Sequence, residues 1–291
     1  MLVTGAETPA GREVLRQLCE LGCVSVAVNR RTRTPARGAA GTRISAVAGP
    51  LRPSDPGWIP HLQQLVAEHH VDLIIPTGSD ELPALAAART VFGPGVAIAL
   101  PADAGALVIS HDHLFSCWHL YRHGVAVPKF AVPSTFGVLG EELRPLGVPV
   151  VLKRRVTQGG YEMRVMSSDE AARWAARDDS WIVQEYVPGV EYTVVVWQPV
   201  SEWFHEPVVV TLRRAKDGHF QRAPEDRDVD ELAGRAVRAL GLTGPVCLRI
   251  RRRTDGTPLV ISVAPRVTEH LRYVPEILER IVWIHRQRPT P

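Results

Sequence analysis

Three apolar runs in the first hundred residues decide most of what this chain can become. Val24 to Val28, Val71 to Ile75 and Val96 to Leu100 are nearly continuous in apolar character. Strands buried on both faces of a parallel sheet have that pattern. A shorter run, Leu2-Val3, precedes them. The stretches between carry apolar residues at helical spacing. Val14, Leu15, Leu18 and Leu21 mark a helix over Arg12 to Leu21, closed by Gly22 as its cap. Ile59 to His69 and Asp80 to Arg89 read as two more, the second opening with acids that suit the helix macrodipole. Thr32 to Arg43 reads as a loop. Such alternation predicts a small doubly wound α/β unit over residues 1–105.

After Pro101 the pattern changes. Asp112 to His123 reads as a helix ended by Gly124, and short strands follow. A helix is expected over Asp169 to Arg177. Trp181 to Val187 and Glu191 to Trp197 read as two strands joined at Pro188-Gly189, with another at Val208 to Arg213. A helix over Val229 to Leu240 ends at Gly241. Val246 to Arg253 and Leu259 to Val263 form a hairpin about Asp255-Gly256, a strong turn pair. The tail, Pro275 to Arg286, is helical. Residues 106–291 are therefore expected to be α+β with antiparallel strands.

Bulk properties exclude several classes of function. A net charge of +3 is too weak to argue for nucleic acid, and the runs Arg30-Arg31 and Arg251-Arg252-Arg253 have no interleaved aromatics. The longest apolar stretch, Val96 to Ser110, is broken by Pro101 and Asp103 and is too short to span a bilayer. The first residues lack a basic leader, and Cys19, Cys23, Cys117 and Cys247 show no metal spacing. Core thiols in a reducing cytoplasm are the expectation. Only Lys129, Lys153 and Lys216 are lysines among 34 basic residues, so each lysine is a place to look.

Two constellations carry chemistry. The first is the loop Gly5 to Gly11, after a strand and opening a helix. It reads either as a phosphate cradle at a helix N-terminus or as a tight turn. A nucleotide-dependent oxidoreductase built on it would also need a Tyr-xxx-Lys pair, and no tyrosine here has a lysine four residues on. The second begins at Val150-Val151-Leu152-Lys153, an apolar strand ending in lysine, followed by Gln158-Gly159-Gly160. Then come Trp181-Ile182-Val183-Gln184-Glu185-Tyr186-Val187-Pro188-Gly189-Val190-Glu191 and, much later, Ala264-Pro265-Arg266.

In this order and spacing the set resembles the ATP-grasp superfamily, in its carboxylate–amine ligase or carbamoyl-phosphate-synthase-like branch. The resemblance covers nearly the whole chain. It implies an N-terminal Rossmann-like pre-ATP-grasp domain (1–105) followed by a two-lobed ATP-grasp fold (106–291), with a lid lobe at about 128–183 and a C-terminal lobe at about 184–291. It further implies that ATP lies between the lobes. Lys153 and His113 would meet phosphates, and Gly159 and Gly160 would let the backbone approach them. Gln184, Glu185 and Val187 would line the hinge that reads adenine, and Glu191 would accept from the ribose hydroxyls. Arg266 and Arg213, with Arg214 beside it, are the candidate clamps on an oxyanion or transferred phosphate.

The activity implied is ATP-dependent ligation of a small carboxylate, such as an amino acid, to an amine through an acyl phosphate. The superfamily's magnesium positions fall on Arg249, Ser262 and Ala264. None suits a hard cation, so no residue is nominated as a metal ligand and Mg2+ use is in doubt. The alternative is a degenerate member that binds nucleotide or a small ligand, or supports a partner enzyme, without magnesium-dependent ligation. Trp203-Phe204 and Trp283 would suit an interface with a second copy or a partner enzyme, or ordinary packing.

Overall fold

In the computed structural model the described residues are 1–29, 44–49, 51–101, 103–133, 149–156, 163–167, 170, 178–199, 206–215 and 217–287. The chain opens with β1 (Leu2–Thr4), α1 (Pro9–Glu20) and β2 (Ser25–Asn29). Thr8 caps α1: its hydroxyl accepts from Gly11 N at 3.0 Å, and Pro9, which has no N–H to satisfy, starts the helix. Gly22 then takes φ +68° and stops it, as expected. β3 (Ile44–Ala48), which sequence reading passed over, pairs in parallel with β2. α2 (Trp58–Glu68), β4 (Leu73–Ile75), α3 (Leu82–Ala87) and β5 (Ala97–Ile98) follow.

These strands make one parallel sheet in the order β3-β2-β1-β4-β5. Alternate residues face opposite sides, because the side-chain period of a strand is two. Leu2, Val26 and Ile74 pack with Leu62, Leu82 and Leu85 on one face. Val3, Ala27, Leu73 and Ile75 pack with Val14, Leu15 and Leu18 of α1 on the other.

Two helices follow where one was expected. α4 (Ala104–His111) and α5 (His113–Arg122) meet at Asp112. Asp103, read in the sequence as a break in an apolar stretch, is the N-cap of α4 and accepts from Gly105 N at 2.7 Å. Asp112 does the same for α5, accepting from Leu114 N at 2.8 Å.

The next four strands are β6 (Phe130–Ala131), β7 (Val150–Arg154), β8 (Met163–Met166) and β9 (Trp181–Glu185). They form an antiparallel sheet in the order β6-β9-β7-β8. β10 (Glu191–Gln198), β11 (Val208–Arg214), β12 (Phe220–Arg222), α6 (Arg227–Ala239), β13 (Gly244–Arg252) and β14 (Pro258–Ala264) come next. Their strands form a second antiparallel sheet, β12-β11-β10-β13-β14. β9 and β10, read as neighbours joined at Pro188-Gly189, thus belong to different sheets. The joint does not close a hairpin: Pro188 has no N–H, and Gly189 N donates instead to Arg252 O at 3.0 Å, at the end of β13. β9 also runs as one strand past residue 183. The expected helix over 169–177 lies outside the described residues except Glu170.

α6 lays Val229, Leu232, Ala233, Ala236 and Val237 on the second antiparallel sheet, against Val194, Val196, Leu248 and Ile250. The last helix, α7 (Glu276–Arg286), lies on that sheet's other face. There Ile277, Leu278, Ile281 and Val282 share one cluster with Val195, Trp197 and Leu212 and with Val14, Leu15 and Leu18 of α1. Among the described residues no helix is long and apolar enough to cross a membrane.

The glycine loop is a tight turn at its centre. A Cβ on Gly11 would meet Gly5 O at 2.4 Å, so the helix start lies directly against the strand end. The Thr8 hydroxyl also touches that of Thr77 at 3.2 Å. Thr8→Ala removes the cap and this contact and is expected to lower stability by about 1 kcal/mol. Urea unfolding curves of the two proteins measure it.

Candidate functional site

Lys153 is where the two antiparallel sheets meet. It lies on β7 between β8 and β9, and its ammonium donates to Ile261 O on β14 at 2.9 Å. The side chain is buried, with 6% of the residue exposed. Burial, helped by the nearby Arg249 guanidinium, lowers its pKa to about 8. His113 opens α5 close by, and its backbone N donates to Arg155 O at 2.8 Å. Burial, then the charges of Lys153 and His111, hold its imidazole well below the usual histidine range. At pH 7 it is neutral, a hydrogen-bonding group rather than a second cation. Between them lies Cys117, whose sulfur accepts from Gln184 Nε2 at 3.0 Å and whose pKa burial raises. Gln184 is therefore directed at α5, with its side chain buried.

The hinge from β9 to β10 is held by arginines. Glu185 accepts from Arg253 Nε at 2.7 Å and Nη2 at 2.6 Å, and from Lys129 N at 3.1 Å. Burial alone would raise its pKa, but these donors outweigh it and the net shift is downward. Val187, buried, gives its carbonyl to Arg251 Nη1 at 2.8 Å. Glu191 has one oxygen on Arg249 Nη2 at 2.7 Å and the other on Arg251 Nε at 2.9 Å. Arg252 pairs with Asp226 at 2.9 Å and Asp228 at 2.7 Å. So the run Arg251-Arg252-Arg253, which in sequence says little, grips a different carboxylate at each step. The available signal was strand register: Arg251 stands opposite Glu191 across β10 and β13, where opposite charges attract.

Arg266 follows β14 and reaches the parallel sheet. Its Nε donates to Ser79 Oγ at 2.8 Å, in the loop after β4. That loop lies beside the β1 end, where the strand order reverses, the crevice in which doubly wound sheets take ligands. It also holds Glu81, which sequence reading counted among acids serving a helix dipole. Instead the Glu81 carboxylate is buried and accepts from Thr77 N at 2.7 Å and Gly78 N at 2.6 Å. Burial pushes its pKa up to about 7. Arg213, on β11 between β12 and β10, pairs with the exposed Glu225 at 3.3 Å, and Arg214 donates to Gly218 O at 3.2 Å. The structure thus brings buried Lys153 and Gln184 together with half-buried His113, and Glu185, Val187 and Glu191 into the adjoining hinge. Gly159 and Gly160 lie outside the described residues.

The metal positions do not suit a divalent cation. On the paired strands Arg249 stands opposite Ser262, and Ala264 opposite Cys247. Arg249 brings positive charge, and alanine offers no donor. Among the described residues no group of three or more His, Cys, Asp or Glu side chains is arranged to hold a metal.

No family model matches the chain. It is 27% identical over 212 residues to formate-dependent phosphoribosylglycinamide formyltransferase of Synechococcus sp. (strain RCC307), covering 72% of this chain and 49% of that protein. The same enzyme of Prochlorococcus marinus (strain MIT 9313) is 27% identical over 167 residues, 57% of this chain and 40% of that one. The chain spans about half the length of the curated relatives it matches. Among solved structures, N5-carboxyaminoimidazole synthetase from Staphylococcus aureus complexed with ADP superposes with a TM-score of 0.72 at 14% identity. That match covers 100% of this chain and 78% of the other. Biotin carboxylase from Campylobacter jejuni in its β,γ-ATP complex gives 0.71 at 17% identity, covering 100% and 71%. N5-carboxyaminoimidazole ribonucleotide synthetase from Thermotoga maritima gives 0.69 at 18%, covering 100% and 76%.

Proposed function

With the ATP-grasp fold as the premise, which those superpositions carry, we propose that this chain binds ATP between its two antiparallel sheets. We propose further that it works in the manner of an ATP-dependent carboxylate–amine ligase. Lys153 is the observation that supports this most: a buried ammonium set at the junction of the two sheets, against β14. A fixed cation with little water around it is what a phosphate needs. His113 adds a neutral donor. Gln184, Glu185 and Val187 form the adenine hinge and Glu191 the ribose contact. Residues 1–105 make the pre-ATP-grasp domain, 128–183 the lid lobe and 184–291 the C-terminal lobe.

In the reaction proposed, a carboxylate oxygen attacks the γ-phosphorus and the bond to ADP breaks, leaving an acyl phosphate. An amine nitrogen then attacks the carbonyl carbon, phosphate departs, and the nitrogen loses a proton. Arg266, already positioned at the parallel-sheet crevice, would hold the acyl phosphate, with Arg213 as a second clamp. The substrates are a small carboxylate and a small amine. A reducing cytoplasm is the proposed compartment, in keeping with four buried cysteines that form no disulfide. Trp283, half exposed on α7, is the proposed contact with a second copy or a partner enzyme.

Titration calorimetry with ATP, followed by phosphate-release assays over a panel of carboxylates and amines, tests the reading. Saturable ATP binding with phosphate release dependent on one carboxylate is expected. Binding without turnover on any pair would favour the nucleotide-binding alternative, and no binding would refute both.

A further inference from the structure

Among the described residues a group of cations gathers around Lys153 and β13. Lys153, Arg249, Arg251 and Arg266 are set against Glu191 and Glu269. Lys153 lies near enough to Arg249 for its ionisation to be affected. Arg249 in turn feels Arg251 and Glu269. His270 feels Glu269, Arg249 and Arg266. Its imidazole, like that of His113, is held below the usual range, first by burial. Cations gathered in this way favour an anion and disfavour a free divalent metal.

The contacts of Glu191 show how an anion would enter. Arg249 donates to Oε1, while Arg251 lies against Oε2. Removing Arg249 therefore leaves the carboxylate paired and avoids the large penalty of an isolated partly buried charge. Both side chains are about one-third exposed, 35% for Arg249 and 33% for Glu191, so a ligand arriving from solvent reaches them. Guanidinium also binds phosphate through two parallel hydrogen bonds, a better match than the single oxygen it holds here.

Resting on the nucleotide reading above, we propose that the cleft takes the metal-free nucleoside triphosphate. Arg249 leaves Glu191 Oε1 for the phosphates and supplies the charge that a divalent ion would otherwise bring. The same exchange frees Glu191 Oε1 to accept from a ribose hydroxyl. Phosphate and nucleoside recognition are then coupled through one side-chain pair. Added Mg2+ caps the phosphate oxygens that Arg249 would use, and binding weakens.

Calorimetric titration of the full chain with ATP tests this, in EDTA and then in excess MgCl2 at matched ionic strength. Affinity is expected to be about tenfold higher in EDTA, and Arg249→Met to lose about 10- to 100-fold there, as removal of a charged phosphate contact does. The double variant Arg249→Glu with Ser262→Glu is expected to reverse the sign of the Mg2+ effect. The wild-type comparison stands even if a variant fails to fold. Tighter binding with Mg2+, or affinities equal within about twofold, overturns the inference and leaves the nucleotide reading intact. No binding in either condition overturns both.

Discussion

Lys153→Met is expected to bind ATP about 100-fold more weakly than the wild type while being no less stable at pH 7. The first half follows from a charge-assisted phosphate contact in a water-poor site, worth about 2 to 3 kcal/mol. The second follows from the burial that makes the contact strong. Lysine titrates near 10.5 in the unfolded chain and at about 8 when folded. Below pH 8 both states are protonated and the folded state bears the full penalty of a buried ammonium. Between pH 8 and 10.5 the folded state loses its proton first, so stability rises with pH, and above 10.5 the penalty is gone. The wild type should therefore gain about 2 to 3 kcal/mol between pH 7 and pH 10 that the methionine variant does not gain. Methionine fills the volume but leaves Ile261 O without its donor, which offsets part of the relief at pH 7. Denaturant unfolding of both proteins at the two pH values reads the difference directly. Parallel pH profiles, or a variant that keeps its ATP affinity, would remove Lys153 from the role assigned to it.

Gly189→Ala is expected to cost about 3 kcal/mol, at the upper end of what overpacking does. The added methyl would stand 2.2 Å from Arg252 O and 2.9 Å from Arg252 C, and backbone on both sides cannot turn away as a side chain would. The strain falls on the joint between the two antiparallel sheets. There Gly189 N and Arg252 O share a hydrogen bond of 3.0 Å, and Arg252 N donates to Val190 O at 3.1 Å. ATP affinity should fall together with stability, since Val187 and Glu191 flank this joint and are held by Arg251. Gly22→Ala supplies the contrast: a Cβ there meets nothing within 4 Å, so only the positive φ of +68° opposes it. It should cost about 1 kcal/mol. Urea unfolding and calorimetry on the two variants separate a steric clash from a conformational preference, and similar losses would contradict the assignment.

The parallel sheet was legible because its strands are buried on both faces and its helices carry their own stop signals. Gly22, Gly124 and Gly241 all take positive φ where the helices were expected to end. Asp103 breaks the apolar stretch as expected, and its further role as the cap of α4 was not legible because one acid among apolar residues can interrupt a helix or begin one. β9 and β10 are joined at Pro188-Gly189 as expected but lie in different sheets, because sequence shows that two strands are consecutive, not whether they pair. The site divides in the same way. Lys153 was found because an apolar strand ending in a rare lysine is a local pattern. Arg253 on Glu185 and Arg266 on Ser79 depend on contacts between distant segments. Such contacts leave no spacing to read.

The position of α7 bears on the order of events during synthesis. Its apolar face closes the core that α1 and β1 begin, and Gln17 Nε2 donates to Leu271 O at 3.1 Å, joining residues 254 apart in sequence. While the ribosome has yet to reach residues 271–282, Val14, Leu15 and Leu18 have only the parallel sheet to pack on, and the side of α1 that α7 covers stays open to solvent. The parallel sheet is made first but matures last. For most of translation it is therefore an unfinished surface on which a chaperone, or a neighbouring nascent chain, can settle.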